Sequence, residues 1–301
     1  MNKPFSKKIH FRYIPYFFIL PYFLIYISFS LFPVVYTFYV SLTEWSGFSA
    51  PVFVGLKNYA TLLKDERFYD AMGNTLIFMG MIIPVQIVLG MLTAVILSSK
   101  KMIVRDAYRL MNFLPYITTP VAMGILFAIL FDWQFGMINL ILSALGITKD
   151  NINWIGQPWP ARFMISAITI WKYYGYTAVL FLAGITNISP DLYEAAEIDG
   201  ANSFQRFTYI TMPLLRPVVI FVVLTTMIGC FQIFDEPFMI LAGVAGGPEN
   251  SCLTGVWLLY DTAFGTIMKF GYGSAIAYMM FVFIALISIS LYRVMQQRDE
   301  V

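Results

Sequence analysis

Apolar stretches of membrane-crossing length alternate with short polar ones along the whole chain. Five windows free, or nearly free, of Asp, Glu, Lys and Arg run from Tyr13 to Thr43, Ala71 to Ser99, Leu110 to Phe131, Pro217 to Phe234 and Phe270 to Tyr292. A sixth, Phe163 to Ile188, is interrupted only by Lys172. A helix needs about 20 apolar residues to cross about 30 Å of hydrocarbon. The pattern therefore predicts an all-α, polytopic membrane protein with six transmembrane helices in a single domain spanning 1–301. Pro15, Pro21 and Pro33 predict bends or an interfacial first segment. The basic, then apolar N-terminus has the order of a secretory signal, but its apolar run is about twice the usual length and no small-residue cleavage site follows a short core, so it reads as a retained anchor.

The polar stretch from Ser189 to Pro213 breaks this rhythm. It holds Asp191, Glu194, Glu197 and Asp199, with Arg206 further on, and is too charged to lie in lipid. Ser189 is placed to cap a helix whose first turn takes Pro190 and gains from Asp191 and Glu194 near its positive end. Gly200 breaks that helix, and Ser203 is expected to cap a second one in which Phe204, Phe207 and Ile210 recur at helical spacing until Pro213 stops it. The expected unit is a helix, a turn and a helix. An amphipathic hairpin on the bilayer surface is the competing reading, but such helices usually present Lys and Arg to anionic headgroups, and this polar face is mainly acidic. A protein partner suits it better.

Composition agrees with the class. Hydrophobic residues make up 59% and charged ones 12% of the 301 residues, against about 25% charged in soluble domains. Lys3, Lys7, Lys8 and Arg12 precede the first window, Lys100, Lys101, Arg105 and Arg109 follow the second, and Arg293 and Arg298 follow the last. By the positive-inside rule both termini and the Ser189–Pro213 loop are cytoplasmic, acidic residues counting for little. Glu44 to Asp70, Asp132 to Arg162 and Ala242 to Lys269 become the outer loops, with Trp45, Trp133 and Trp154 near the expected interfaces. Cys230 and Cys252 have no metal-ligand spacing and predict no disulfide. The lone His10 in the basic tail rules out a histidine cluster, and no nucleophile, base and orienter arrangement is present. Nothing points to an enzyme or to nucleic acid. The phosphate-loop pattern is absent as well, so ATP-driven work requires a partner.

Glu194, Ala195, Ala196, Gly200, Ile210 and Pro213 stand at the spacing of the cytoplasmic signature of membrane subunits of binding-protein-dependent ABC importers, with Met212 in place of the usual leucine, a volume-conserving change. The chain resembles that family. The resemblance implies that residues 189–213 form a coupling loop seated in a cleft of an ATPase subunit, with Glu194, Ala195, Ala196, Asp199, Gly200 and Pro213 as its coupling residues. Val54-Gly55-Leu56-Lys57-Asn58-Tyr59, Asn74-Thr75, Leu114-Pro115, Gly136-Met137-Ile138-Asn139 and Ile198-Asp199-Gly200-Ala201 look like the sugar-uptake branch, and Phe231-Gln232-Ile233-Phe234-Asp235 followed by Gly246-Gly247-Pro248 looks like one of its two permease types, whose usual companion is a second, homologous permease. Polyol and glycerol-phosphate importers share many of these residues. The resemblance implies an assembly in a bacterial-type cell membrane: this chain, a homologous sister permease, two ATPase subunits that hold ATP and Mg, an extracellular solute-binding protein, and a carbohydrate substrate. An ion-coupled secondary transporter or channel would instead need a relay of ionisable residues through the spans. A scaffold that merely anchors an ATPase would have no use for polar side chains at mid-bilayer.

Those polar side chains define the expected pathway. Counted from Phe163, Lys172 lies about 14 Å into the sixth window at 1.5 Å per residue, where an ionisable group is expected to face a cavity rather than lipid. Tyr176 lies one turn on and Tyr173 beside it. Thr226 and Cys230 share a face at i, i+4, with Gln232 close by. The alternative is that the Tyr and Thr residues fill helix contacts, Cys230 packs, and Lys172 pairs with a carboxylate such as Asp235. Asp235 and Glu236, about 32 Å along their span, are expected nearer the outer face as gate, docking or solvated end residues.

Overall fold

The computed structural model describes residues 14–99, 105–241, 246–265 and 268–296. Lys3, Lys7, Lys8, His10, Arg12, Lys100, Lys101 and Arg298 lie outside them. The first window is one helical run, α1 (Ile14–Tyr26) and α2 (Phe32–Ser41), joined through a π turn at Ile27–Leu31. The prolines do not interrupt this run. A proline has no N–H and its ring crowds the carbonyl four residues back. Ahead of Pro33 the Phe32 N–H reaches back five residues to Ile27 O, and the widened turn takes up the misfit.

A two-stranded antiparallel ribbon follows, β1 (Thr43–Glu44) with β2 (Val52–Phe53), Thr43 facing Phe53 and Glu44 facing Val52. Next come α3 (Lys57–Leu62) and α4 (Glu66–Ser98), whose Asp65 cap accepts from the Arg67 N–H at 3.0 Å. The third window is not one straight span. It forms α5 (Arg105–Ile117) and α6 (Pro120–Leu130), which meet at 96°. Pro120 disfavours helical geometry in the residue before it, and Thr119 is accordingly extended at φ −67, ψ 144. The remaining helices are α7 (Met137–Ala144), α8 (Pro158–Thr186), α9 (Pro190–Ile198), α10 (Ser203–Arg206), α11 (Met212–Phe231), α12 (Asp235–Ile240), α13 (Gly255–Phe264) and α14 (Phe270–Gln296).

Among the described residues four helical runs are long and apolar enough to cross a membrane, or five if the bent α5–α6 pair is one span. These are Pro15–Ser41, Glu66–Ser98, Ser203–Ile240 and Phe270–Met295. At 29 residues α8 has the length but not the composition, because Lys172, Tyr173, Tyr174 and Tyr176 occupy its middle. The molecule is an all-α polytopic membrane protein apart from the short ribbon.

The centre of the fold is the α4–α8 pair, with α5 against the other side of α8. Gly175 permits that approach: a Cβ there would lie 1.8 Å from the Asn112 carbonyl oxygen of α5. Apolar side chains form two clusters along the pair. One holds Phe78 and Ile82 of α4, Ile165 and Ile168 of α8, and Trp257 and Leu258 of α13; the other holds Met91, Ala94 and Leu97 of α4 with Phe181 and Leu182 of α8 and Leu215 of α11. Between them both helices turn polar, at Gln86 on α4 and from Lys172 to Thr177 on α8. That polar layer positions the cleft.

Candidate functional site

The cleft has a volume of about 370 Å³ and opens where the polar layer of α4 and α8 meets α5, α11 and the start of α12. Its wall includes Gln86, Tyr116, Thr169, Tyr173, Tyr176, Thr177, Thr225, Thr226, Cys230, Gln232, Asp235 and Glu236. Of the residues expected along the pathway, Tyr173, Tyr176, Thr226, Cys230 and Gln232 are brought together here. Lys172 is not in the wall. It stands at the middle of α8, 7% exposed, and donates from Nζ to Glu236 Oε1 at 2.7 Å, with the Tyr173 ring centroid 5.2 Å from the ammonium. Its carboxylate partner is thus Glu236 and not Asp235.

Glu236 also departs from the expected outer position. The helical part of α11 ends at Phe231, and after a three-residue break the chain resumes as α12 within the same Ser203–Ile240 run, with α12 packed on α6 and α8 and Glu236 beside Lys172 at the middle of α8. Thr254, at the cap of α13, locks this break by donating to Ile233 O at 2.5 Å. Beyond α12 the Gly246-Gly247-Pro248 segment leads into a buried loop clamped from two sides. Arg162 of α8 donates to Ser251 O at 3.1 Å and to Asn74 Oδ1 at 2.7 Å, while Asn74 of α4 donates to Asn250 O at 2.6 Å and Leu253 O at 3.1 Å. Burial pushes the Cys252 thiol in this loop up to about 11, so it stays protonated at neutral pH; both cysteines are free.

Aromatic rings make one side of the cleft. Tyr116 of α5 stacks on Tyr176 at 4.8 Å and 12°, and meets Tyr173 edge-on at 5.8 Å. Tyr116 escaped the sequence reading because the bend after Ile117 cannot be seen in a continuous apolar window. Gln86 escaped it too, although a lone Gln inside an apolar run was a usable signal.

The loop after α8 is the second feature. Ser189 caps α9, its Oγ accepting from the Asp191 N–H at 3.3 Å, as expected. Gly200 sits at φ +81 and closes α9 with paired bonds, Ala201 N–H to Ala196 O at 2.8 Å and Gly200 N–H to Glu197 O at 3.1 Å, the arrangement that favours glycine after a helix. A Cβ at Gly200 would meet nothing within 4 Å. The restriction at Gly200 is conformational. The cap of α10 is Asn202 and not Ser203: Asn202 Oδ1 accepts from the Gln205 N–H at 2.9 Å and Gln205 Oε1 accepts from the Asn202 N–H at 2.8 Å. Pro213 does not stop the second helix. A π turn at Phe207–Thr211, with Met212 N–H bonded to Phe207 O, admits it into the first turn of α11, so the helical path continues to Phe231.

Internal bonds brace this loop while leaving one surface open. Arg206 pairs with Glu197 at 2.9 Å across the turn, and the Tyr193 hydroxyl lies 2.9 Å from Thr211 Oγ1. Glu194, Ala195 and Asp199 are exposed, Ala196 is half-buried, and the apolar side chains of Ile198 (86%), Phe204 (76%) and Tyr209 (77%) stand open. Open apolar side chains beside exposed acids along a polar loop are the makings of a protein interface.

A polytopic helical membrane protein with a polar cleft in its middle and an open helical loop at the end of its lining helices is a membrane transport component. The family described as binding-protein-dependent transport system inner membrane component matches residues 9–299, and this chain belongs to it. It is 34% identical over 260 residues to the lactose transport system permease protein LacF of Rhizobium radiobacter, covering 86% of each chain. Identity is also 34% to the arabinooligosaccharides transport system permease protein AraP of Halalkalibacterium halodurans, over 93% of this chain and 86% of that one. The trehalose/maltose transport system permease protein MalF of Thermococcus litoralis is 31% identical over 94% and 95%. In fold, the chain is similar to a bacterial ABC transporter involved in import of the acidic polysaccharide alginate, with a TM-score of 0.77 at 22% identity, covering 95% and 96% of the two chains.

Proposed function

We propose that this chain is the permease subunit of an ABC importer for a carbohydrate, working beside a homologous permease, two ATPase subunits and a solute-binding protein. The relatives named for lactose, arabino-oligosaccharide and trehalose or maltose transport support the substrate class. Six spans are counted by adding α8, whose polar middle faces the cleft, and the bent α5–α6 pair to the four long apolar runs; both termini and the 189–213 loop are then cytoplasmic, in a single membrane domain.

One observation carries the mechanism: the loop is bracketed by the two helices that line the cleft. α8 brings Tyr173 and Tyr176 and then enters the loop, and the loop's second helix leads on to Thr226 and Cys230. Movement of an ATPase pair holding Glu194, Ala195, Ala196, Asp199, Gly200 and Pro213 would thus reach Thr226 and Cys230, with Gln232 just beyond, through continuous helix, and Tyr173 and Tyr176 through the short non-helical link at Asn187, Ile188 and Ser189, while Lys172 would serve by fixing Glu236 in the wall. Family membership leaves the ion-coupled alternative without support, and the Lys172–Glu236 pair satisfies itself instead of forming a relay.

Reconstitution tests this reading. The complex in proteoliposomes should take up a saccharide only with ATP inside and loaded binding protein outside. Glu194→Ala should insert normally yet lose uptake together with stimulated ATP hydrolysis, since a charge-assisted bond at a desolvated interface contributes about 1.5–3 kcal/mol. Uptake and stimulation at wild-type rates would remove the loop from the mechanism.

A further inference from the structure

The cleft wall holds a buried polar atom whose hydrogen-bonding capacity is unmet. Gln86 is 4% exposed; its Nε2 donates to Thr177 Oγ1 at 2.9 Å and Thr226 Oγ1 at 3.4 Å, while its Oε1 has no partner. Threonine hydroxyls both donate and accept, so turning the amide over moves the unmet end without removing it. Buried polar atoms are paired in the large majority of cases. An alcohol, which donates and accepts, would satisfy Gln86 in either orientation.

The charges around the cleft lean the same way. Asp235 and Glu236 line it, and no Lys or Arg does. Lys172, just behind the wall, is committed to Glu236, while Asp235 is exposed and enters no ion pair among the described residues. A carboxylate entering here would meet no free cation in the wall and would stand beside a like charge. Tyr116, Tyr173 and Tyr176 meanwhile offer ring surface to the C–H face of a pyranose. The fold alone does not decide the matter, since the similar solved structure is described as importing an acidic polysaccharide.

We propose, resting on the carbohydrate-importer reading, that this cleft selects neutral saccharides over uronates, with Gln86 bonding a sugar hydroxyl and Asp235 repelling carboxylates. Such selection works as much by rejecting the wrong ligand as by holding the right one.

The test is binding to the complete complex in nanodiscs without binding protein, followed by saturation-transfer NMR with maltotriose, raffinose and arabinotriose as neutral probes and trigalacturonate as the acidic one. At least one neutral trisaccharide should give a signal and trigalacturonate none. Gln86→Leu should weaken the neutral ligand about tenfold, the effect of one lost buried hydrogen bond. Asp235→Asn, at an exposed position that leaves folding undisturbed, should admit trigalacturonate. Trigalacturonate binding as tightly as the neutral probes, or neutral binding unchanged in Gln86→Leu, overturns the inference and leaves the importer reading intact. Silence from every saccharide in a complex that still imports one with its binding protein does the same. Silence without import overturns both.

Discussion

At the scale of single residues, the Lys172–Glu236 pair decides most. With side chains 8% and 5% exposed, removing one partner leaves a buried, uncompensated charge, which typically costs about 3–5 kcal/mol. Lys172→Leu should therefore lower the melting temperature of the purified complex and its assembled yield, more than it tunes transport. Replacing both partners, Lys172→Met with Glu236→Leu, should return stability close to wild type, because well-packed apolar substitutes for a buried ion pair are often neutral or better. A single variant that melts with the wild type would show that the pair is open to water in the assembly. The sequence identified Lys172 as special from its interruption of an apolar run, but named Asp235 as a candidate partner. The distinction depends on where α11 stops, and nothing in the apolar window from Pro217 to Phe234 marks the break at Gln232.

At the scale of elements, helix ends were legible where the signal was a side chain, and misread where the backbone adapted. Ser189, Pro190 and Gly200 act as their chemistry implies. Pro33 was expected to bend its segment and Pro213 to stop a helix because proline removes a donor, yet in both cases a π turn supplies a bond to the carbonyl five residues back. No local pattern announces such a turn. Gly200 offers a clean test, since its Cβ position is empty and only φ is constrained. Gly200→Asn should retain uptake, because asparagine tolerates this backbone region, whereas Gly200→Val should insert normally but lose sugar uptake and binding-protein-stimulated ATP hydrolysis in proteoliposomes. Equal uptake by the two would mean the turn does not set the loop's geometry. Gly175 is the opposite case, limited by space: Gly175→Val should separate α5 from α8, lower thermal stability, and pull Tyr116 away from Tyr176. A Tyr116 to Tyr176 cross-link trapped in wild type and absent in the variant would register that separation.

For the whole molecule, composition and hydropathy sufficed for class, and the spacing from Glu194 to Pro213 for family. The cleft was half legible. Residues on one helix face could be paired by counting along α8 and α11, whereas Tyr116 and Gln86 join them only through packing between distant windows, which counting cannot supply. Lacking a phosphate loop, the purified chain should hydrolyse no ATP; turnover in a preparation shown free of ATPase subunits would contradict the assignment. One feature of the loop also gives the molecule a mechanical asymmetry. On the α8 side, the non-helical residues Asn187, Ile188 and Ser189 separate the loop from the cleft helix, while on the other side helix is continuous from Ser203 to Phe231. The continuous arm is about 43 Å long, so pivoting it by about 5° sweeps its tip through about 4 Å. The broken arm gives like a wrist where the other holds like a crank. A push on the loop would thus be delivered chiefly to the Thr226 and Cys230 side of the cleft, with the tyrosine side as the anvil against which it works.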